Sequence, residues 1–224
     1  MAKSFNAFGR RAADLSAFHQ PIWLGTVKPV PVGGVLAEAA RIAGALYGAG
    51  SAIELKEGVI TPFSGFKVVS FSAATGSETV DTVVVKPIGA GYAPKVNDMI
   101  QKLGATFSAT AKAAKVASVV AGEGSSAGSY TLTVLHSATI DSVEAGDVLV
   151  YSSAASAGSS KSMAHQPNAY LYNDICLGDL NEDINASGAA VKFHGEGLLI
   201  DLTPCAEIAA QMAAAVPGVL QVSI

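Results

Sequence analysis

Charged residues are scarce in this chain. Only 14% of its 224 residues are Asp, Glu, Lys or Arg, and the formal net charge is −4. Binding nucleic acid requires clustered cations, so the composition argues against a nucleic-acid partner. Charge also keeps protein surfaces apart in solution. A weakly charged surface rich in small residues therefore favours a protein that is covered by other protein in an obligate assembly. The alternative is an ordinary globular domain with many alanines in its loops.

Cysteine is also scarce, and the sequence predicts neither a long apolar run nor a secretion signal. The two cysteines, Cys176 and Cys205, lie far apart without a Cys or His at metal-binding spacing, which predicts two reduced thiols. No apolar run approaches the roughly 20 residues of a spanning helix, so we expect no membrane segment. The basic N-terminus has no apolar stretch behind it and is not a secretory signal. We expect the chain to stay where it is made, or within what is assembled there.

No set of residues predicts catalysis, a cofactor or a metal site. The segment 194–197, His-Gly-Glu-Gly, is similar to a Gly-rich oxyanion loop, but no nucleophile or base accompanies it, and we interpret it as a turn. Four acidic residues lie close in sequence: Asp174, Asp179, Glu182 and Asp183. Calcium prefers several oxygens, but this set lacks the spacing of a calcium loop and favours a solvated loop. The sequence therefore predicts a non-enzymatic protein.

The most informative positive feature is a β motif that occurs twice, at residues 94–100 and 143–150. In each copy a turn-forming pair, Asn97-Asp98 or Gly146-Asp147, precedes an apolar run. The pair supplies the backbone freedom and side-chain hydrogen bonds that begin a strand, and the apolar residues behind it can be buried. The motif is typical of β-barrels and β-sandwiches.

Alternating apolar and β-branched segments predict a mainly β fold, either a compact barrel or a sandwich. The clearest hairpin joins residues 53–55 to residues 59–60 through a Glu57-Gly58 turn. Further strands are predicted at residues 66–72, 79–86, 115–120, 129–135, 147–151, 190–193, 197–201 and 219–224. One C-terminal helix is predicted over residues 203–215 and is capped by Thr203.

Two segments carry conflicting signals. In residues 94–103 the apolar side chains fall on one helical stripe, but the repeated motif favours a strand, and we expect a strand there. In residues 35–47 the apolar positions fit a helical face and the alanines favour a helix, although Gly44 lies in the middle. The second pattern favours a helix, but whether residues 35–47 are helical or extended stays open.

The sequence predicts three parts. Residues 1–33 form an extended N-terminal arm, because their aromatic residues are irregularly spaced and prolines remove amide donors. The arm lies on another protein, packs on its own domain or is a disordered tail. Residues 34–162 form the β domain, which ends in an Ala/Gly/Ser loop or linker at 152–162. Residues 163–224 form a C-terminal region with a β-hairpin and the helix.

Four segments suggest a family. Residues 49–62, 94–100, 143–150 and 166–175 combine short strands, turns and small residues with little charge. Together they resemble capsid-associated proteins of tailed bacteriophages, of the decoration and head-fibre type. The resemblance covers most of residues 25–175. The chain is short for a head fibre and lacks a repetitive shaft, which favours a compact knob or a capsid-proximal base.

The resemblance implies a non-enzymatic virion protein on the outer capsid surface, assembled in the host cytoplasm, with the major capsid protein as partner. It also implies a homo-oligomer, a trimer or a dimer, that multiplies weak contacts. No catalytic, cofactor-binding or metal-binding residue is implied. The capsid-anchoring hypothesis assigns buried aromatic anchors and cations that pair with acidic groups on the shell. These residues are Phe5, Phe8, Arg10, Arg11, Phe18 and Trp23.

Two alternatives remain open. A tail or baseplate subunit of the same virion would share this composition. A carbohydrate-binding β module would need aromatic platforms, and only 7% of the residues are aromatic. Tyr170 and Tyr172, at alternate positions, could form a small platform.

Overall fold

The computed structural model describes residues 23–24, 34–42, 44–75, 79–136, 140, 142–172, 174–177, 187–188, 190–191, 197–199 and 203–221. The chain is mainly β and has a single short α-helix within these residues, as predicted. It divides into two compact units. We call Phe63–Gln166 the barrel unit, and Met1–Pro62 together with Pro167–Ile224 the flanking unit.

The barrel unit is inserted into the flanking unit. The range 34–162, predicted as one β domain, contains strands of both units, because the chain enters the barrel at Phe63 and leaves it at Gln166. The residues after 166 return to the unit that contains residues 34–62. This division therefore differs from three consecutive parts along the chain.

The flanking unit first contributes β1 (Trp23–Leu24), β2 (Gly34–Leu36), β3 (Leu46–Tyr47), β4 (Ala52–Lys56) and β5 (Val59–Pro62). The barrel unit contributes β6 (Ser64–Ser72), β7 (Val80–Gly89), β8 (Met99–Lys102), β9 (Ala111–Ala121), β10 (Tyr130–Leu135), β11 (Val148–Tyr151) and β12 (Ser160–Lys161). The flanking unit resumes with β13 (Ala169–Leu171), β14 (Ile175–Cys176), β15 (Ser187–Gly188), β16 (Ala190–Val191), β17 (Gly197–Leu199), helix α1 (Ala209–Ala215) and β18 (Val219–Gln221).

Six strands of the barrel unit close into a ring. The hydrogen-bonded order is β6-β7-β10-β9-β8-β11, and β11 pairs with β6. All these pairings are antiparallel, and β12 adds to the start of β9. Apolar side chains that alternate inward fill the ring: Phe66, Val68, Val83, Val85, Ile100, Ala114, Val116, Leu132, Val134 and Leu149. The expected barrel or sandwich is therefore a closed barrel around an apolar core.

The repeated motif forms the same turn twice. The Asp98 amide donates to the Lys95 carbonyl at 3.2 Å, and the Asp98 carboxylate accepts from the Lys95 amide at 2.7 Å. Glu144 and Asp147 make the same two bonds at the same distances. A strand follows each turn, β8 after Asp98 and β11 after Asp147, so the expected strand within residues 94–103 is confirmed.

The two turns belong to a larger internal repeat. Strands β6, β7 and β8 correspond in order to β9, β10 and β11, and exchanging the two sets leaves the order around the barrel unchanged. Val116 donates to the Asp98 carbonyl at 2.9 Å, and Val68 donates to the Asp147 carbonyl at 2.8 Å. The barrel is therefore two copies of one β-β-turn-β unit, related by an approximate twofold axis.

The strand register follows the same relation. Strand β6 has one extra residue, Val69, relative to β7, and β9 has one extra residue, Ala117, relative to β10. Each of these β-bulges lies directly after the valine that binds the neighbouring turn. The axis passes between Val83 and Leu132, which are direct partners on β7 and β10. Equivalent bulges bend both long strands in the same place, and this bending helps a sheet to close.

The flanking unit contains three small sheets among its described strands. The largest has the order β15-β2-β5-β4-β13-β16, the second is β1-β17-β18, and the third pairs β14 with β3. The predicted hairpin forms β4 and β5. Its turn residues, Glu57 and Gly58, have φ values of 52° and 77°, the pattern of a type I′ turn.

The helix favoured for residues 35–47 is wrong. Its first residues form β2, which pairs in parallel with β5, and a short 3-10 turn follows at Glu38–Ala40. Gly44 has a φ of 72°, which interrupts a right-handed helix. The Tyr47 hydroxyl donates to the Ala40 carbonyl at 2.6 Å. Sheet pairing and this buried bond therefore override the alanine propensity.

The C-terminal region also differs from its prediction. The strands expected on either side of residues 194–197 do not form one hairpin, since β16 pairs with β13 whereas β17 pairs with β1 and β18. The expected helix begins as a 3-10 segment at Thr203–Ile208, and Cys205 within it is non-helical. Only Ala209–Ala215 is α-helical. The terminal strand is present at Val219–Gln221.

The equivalent positions Gly146 and Asn97 in the two turns predict different responses to substitution. Gly146 has a φ of 96°, and nothing lies within 4 Å of where its Cβ would be. Gly146→Ala should therefore destabilise the barrel by about 1 kcal/mol through backbone strain alone. Asn97, at the equivalent position with a φ of 75°, is the control. We expect Asn97→Gly to change the unfolding free energy by less than about 0.5 kcal/mol, measured by urea unfolding; equal losses in both variants would contradict this account.

Candidate functional site

The predicted capsid-anchoring residues are not brought together by the described structure. Phe5, Phe8, Arg10, Arg11 and Phe18 lie outside the described residues. The backbone of Trp23 lies in β1 and pairs with Leu199 of β17. The anchoring hypothesis therefore stays a prediction. Of its six residues, Trp23 belongs to the sheet β1-β17-β18 of the flanking unit.

A buried carboxylate lies at one end of the barrel. Asp81 is fully buried, and its Oδ1 accepts from the Ala74 amide at 2.7 Å and lies 2.7 Å from His136 Nδ1. His136 has an exposed side chain, at 52%. Asp81 thus connects the loop after β6 to the end of β10. Both contacts are made by Oδ1, so this one carboxylate oxygen holds two segments of the barrel together.

Other polar residues singled out in the sequence have structural contacts or fall outside the description. Asp174 accepts a hydrogen bond from the Ala49 amide at 2.7 Å, whereas Asp179, Glu182 and Asp183 lie outside the described residues. Where the chain is described, no group of three or more His, Cys, Asp or Glu could hold a metal ion. No helix in the same part of the chain is long and apolar enough to cross a membrane.

The outer surface of four barrel strands has an unusual composition. Register places side chains of β6, β7, β10 and β9 in two rows across the strands, because directly paired residues point to the same side. One row is Ser72, Thr82, Thr133 and Ser118, and the other is Ser70, Val84, Thr131 and Val120. A further pair, Val80 and Leu135, lies beside the first row. We call these ten residues the uncharged face.

The uncharged face is accessible and apolar at several points. Val120 is 60% exposed and Leu135 is 46% exposed. The hydroxyls of Ser118 and Thr133 lie 2.8 Å apart and share a hydrogen bond. The internal twofold relation exchanges the two rows, with Thr82 equivalent to Thr131. The two rows are therefore neutral and approximately symmetric about their own centre, whereas the equivalent of Leu135 beside the second row is an exposed lysine, Lys86.

The two repeated turns border this face on opposite sides. The turn that ends at Asp147 binds Val68 of β6, and the turn that ends at Asp98 binds Val116 of β9. Lys95 and Glu144 occupy equivalent positions at the start of the two turns, and both are exposed. The symmetric face is therefore bordered by side chains of opposite charge. Each border also carries an exposed lysine, Lys67 on β6 or Lys115 on β9, and Lys67 is paired with a further exposed lysine, Lys86 of β7.

Sequence reasoning missed this face, although the signal is present. The residues of the face alternate with buried ones in β7 and β10, so a period of two was visible. The register that brings the four strands together was not visible in the sequence. Pairings such as Thr131 with Val120 depend on the β-bulges, which local patterns do not reveal.

A shallow apolar groove lies on the flanking unit between α1 and β18. Its volume is about 520 Å³, and its lining includes Ala209, Ala213, Pro217 and Leu220. Leu220 is 66% exposed. The alanines leave room above the helix, so this groove could accept a bulky apolar side chain.

Two tyrosines are shielded from ionisation. Burial raises the pKa of Tyr151, and the Asp98 carboxylate raises it further. Lys102 occupies the position in the first copy of the repeat that Tyr151 occupies in the second. The ammonium Nζ of Lys102 lies 2.7 Å from Asp147 Oδ2 and forms an ion pair with it. Burial also raises the pKa of Tyr170; interaction with Cys205 adds to the shift, and a hydrogen bond from Gln221 opposes it. Both phenols therefore favour the protonated form in the folded protein.

Comparison with protein-family models, with curated proteins and with solved structures gives no match for this chain. The uncharged face is made by four neighbouring, directly paired strands of the barrel.

The raised tyrosine pKa values predict loss of stability in alkali. An unfolded tyrosine has a pKa near 10, so the folded state holds these protons more tightly, and the contribution is full below about pH 10 and lost above it. Tyr151→Phe removes one of the two contributions. We expect a smaller fall in the unfolding free energy from about pH 9 to about pH 11 than in the wild type. Tyr172→Phe, at an exposed position, is the control, and an identical fall in all three proteins would contradict the assignment.

Proposed function

We propose that this protein is a non-enzymatic structural protein attached to the outside of a tailed-bacteriophage capsid, of the decoration or head-fibre type. In this proposal it is assembled in the host cytoplasm, its partner is the major capsid protein, and it acts as a homo-oligomer. The observation that supports the proposal best is the uncharged face, which is suited to covering by protein rather than to holding a small substrate.

The construction of the barrel agrees with this role. Each of the six strands is paired on both sides over part of its length, which limits strand pairing with other copies. The fully buried carboxylate of Asp81 is bonded to Ala74 and His136 within the fold. These features support a rigid display element rather than a site that binds and releases substrate.

The carbohydrate-binding alternative loses its predicted platform. Tyr170 is fully buried, and its hydroxyl bonds to Gln221. Only Tyr172 of the predicted pair is exposed. A stacking platform made of both rings is therefore not available.

The proposal is tested on particles. Mass spectrometry of nuclease-treated, gradient-purified virions should find this chain at a fixed ratio to the major shell protein. Many copies per particle would support a capsid position. A few copies would instead indicate a tail or baseplate subunit, and absence from particles would contradict a virion role.

The capsid-anchoring hypothesis predicts the effect of a truncation. A deletion of residues 1–22 retains β1 and its pairing with β17. We expect this variant to keep its circular dichroism spectrum and to lose binding to particles that lack the wild-type protein. Combined replacement of Phe5, Phe8 and Phe18 by serine is the matched full-length variant and should have the same effect. Undiminished binding of both variants would place the capsid contact elsewhere.

A further inference from the structure

We infer that this chain dimerises by exchanging everything that follows the connection between β8 and β9. This inference rests on the proposed homo-oligomer and adds how two copies pair. We call residues 104–110 the hinge, residues 1–103 the N-terminal part and residues 111–224 the C-terminal part. In the exchanged dimer, the N-terminal part of each copy pairs with the C-terminal part of the other.

One exchange at the hinge completes both units. The hinge joins the two halves of the barrel, so β6–β8 belong to the N-terminal part and β9–β12 to the C-terminal part. The flanking unit is divided at the same point, because β1–β5 precede the barrel in the chain and β13–β18 follow it. Two chains therefore form two whole barrels and two whole flanking units after a single exchange.

Strand pairing joins the two parts in both units. In the barrel, β11 pairs with β6 and β8, β10 pairs with β7, and β9 pairs with β8. In the flanking unit, β17 pairs with β1, β15 with β2, β14 with β3 and β13 with β4. A second copy supplies the same strands in the same register, so the exchange preserves all of these pairings.

Side-chain contacts between the parts make the exchange selective. The Phe66 ring of the N-terminal part packs against Tyr151 of the C-terminal part. Lys102 Nζ lies 2.7 Å from Asp147 Oδ2 across the same boundary. Two N-terminal parts would place two Phe66 rings in one core, whereas two C-terminal parts would place two Ala114 side chains there. The first pairing overfills the core and the second leaves a cavity, so each part favours the other kind.

The hinge sets the balance between the closed monomer and the exchanged dimer. Its Ala109 amide donates to the Thr106 carbonyl at 3.1 Å, and its Phe107 is buried, so both features favour the closed form. The hinge spans up to about 24 Å when extended, which lets it cross between two copies. Pairing within one chain has an effective concentration in the millimolar range. We therefore expect monomers at low micromolar concentration and exchanged dimers as the concentration approaches that range.

The test detects exchange between two full-length copies. Thr82 of β7 and Thr133 of β10 are direct partners across the two parts. One copy carries Thr82→Cys and the other Thr133→Cys, and the two are refolded together from urea and then oxidised. A disulfide between the copies requires β7 of one chain to lie beside β10 of the other. We expect this crosslink after refolding at about 500 μM, and at least about tenfold less of it at about 5 μM.

A shortened hinge tests the same inference by sedimentation velocity. Deletion of residues 104–109 prevents β8 and β9 of one chain from pairing, because Gln101 must still lie opposite Ala113. We expect this variant to be dimeric even at about 5 μM, whereas replacement of the same residues by glycine and serine should leave a monomer.

Two results would overturn the inference. They are a mixture at about 500 μM that crosslinks no more than two copies of Thr82→Cys do, and a deletion variant that is a folded monomer. Neither result bears on presence in virions, so failure here and failure of the proposed function are distinguishable.

Discussion

Each half of the barrel depends on the other for its backbone hydrogen bonds. Strands β6, β7 and β8 do not form a ring on their own, because β8 pairs with β9 and β11 rather than with β6 or β7. The second half has the same deficiency, since β11 pairs with β6 and β8. Unpaired strand edges expose donors and acceptors that must be satisfied or covered. The closed barrel, its core and its outer face all depend on this strand pairing between the two halves.

The twofold geometry survives large differences in side chain. Phe66 corresponds to Ala114 in the register, and Lys102 corresponds to Tyr151, yet the strand pairings match. The Tyr151 ring packs edge-on against Phe66, with centroids 5.3 Å apart. A large side chain in one half can therefore fill space that a small one leaves in the other. Backbone pairing and the Asp-terminated turns, rather than matched side chains, preserve the symmetry.

Because the turns are preserved and the side chains of the two halves are not, only part of the repeat could be predicted from the sequence. The turns ending at Asp98 and Asp147 were recognisable because their hydrogen bonds are local, between residues three apart. The rest of the repeat was not recognisable, because residues at equivalent positions, such as Phe66 and Ala114, differ in size and chemistry. The helix favoured for residues 35–47 failed because a parallel pairing with β5 is a non-local interaction. The uncharged face required a register across four strands, which local patterns do not supply.

The insertion of the barrel has a consequence for the route of folding. Ile53 pairs with Pro62 on one side and with Ala169 on the other, so the chain leaves for the barrel and returns from it within about 10 Å. Without a folded barrel, joining β4 to β13 would close a loop of more than a hundred residues at a large entropic cost. A barrel that folds first removes most of that cost, because its own strands bring the two ends of the loop together. The folded barrel unit thus lowers the entropic cost of folding the flanking unit, whose two sequence segments it joins.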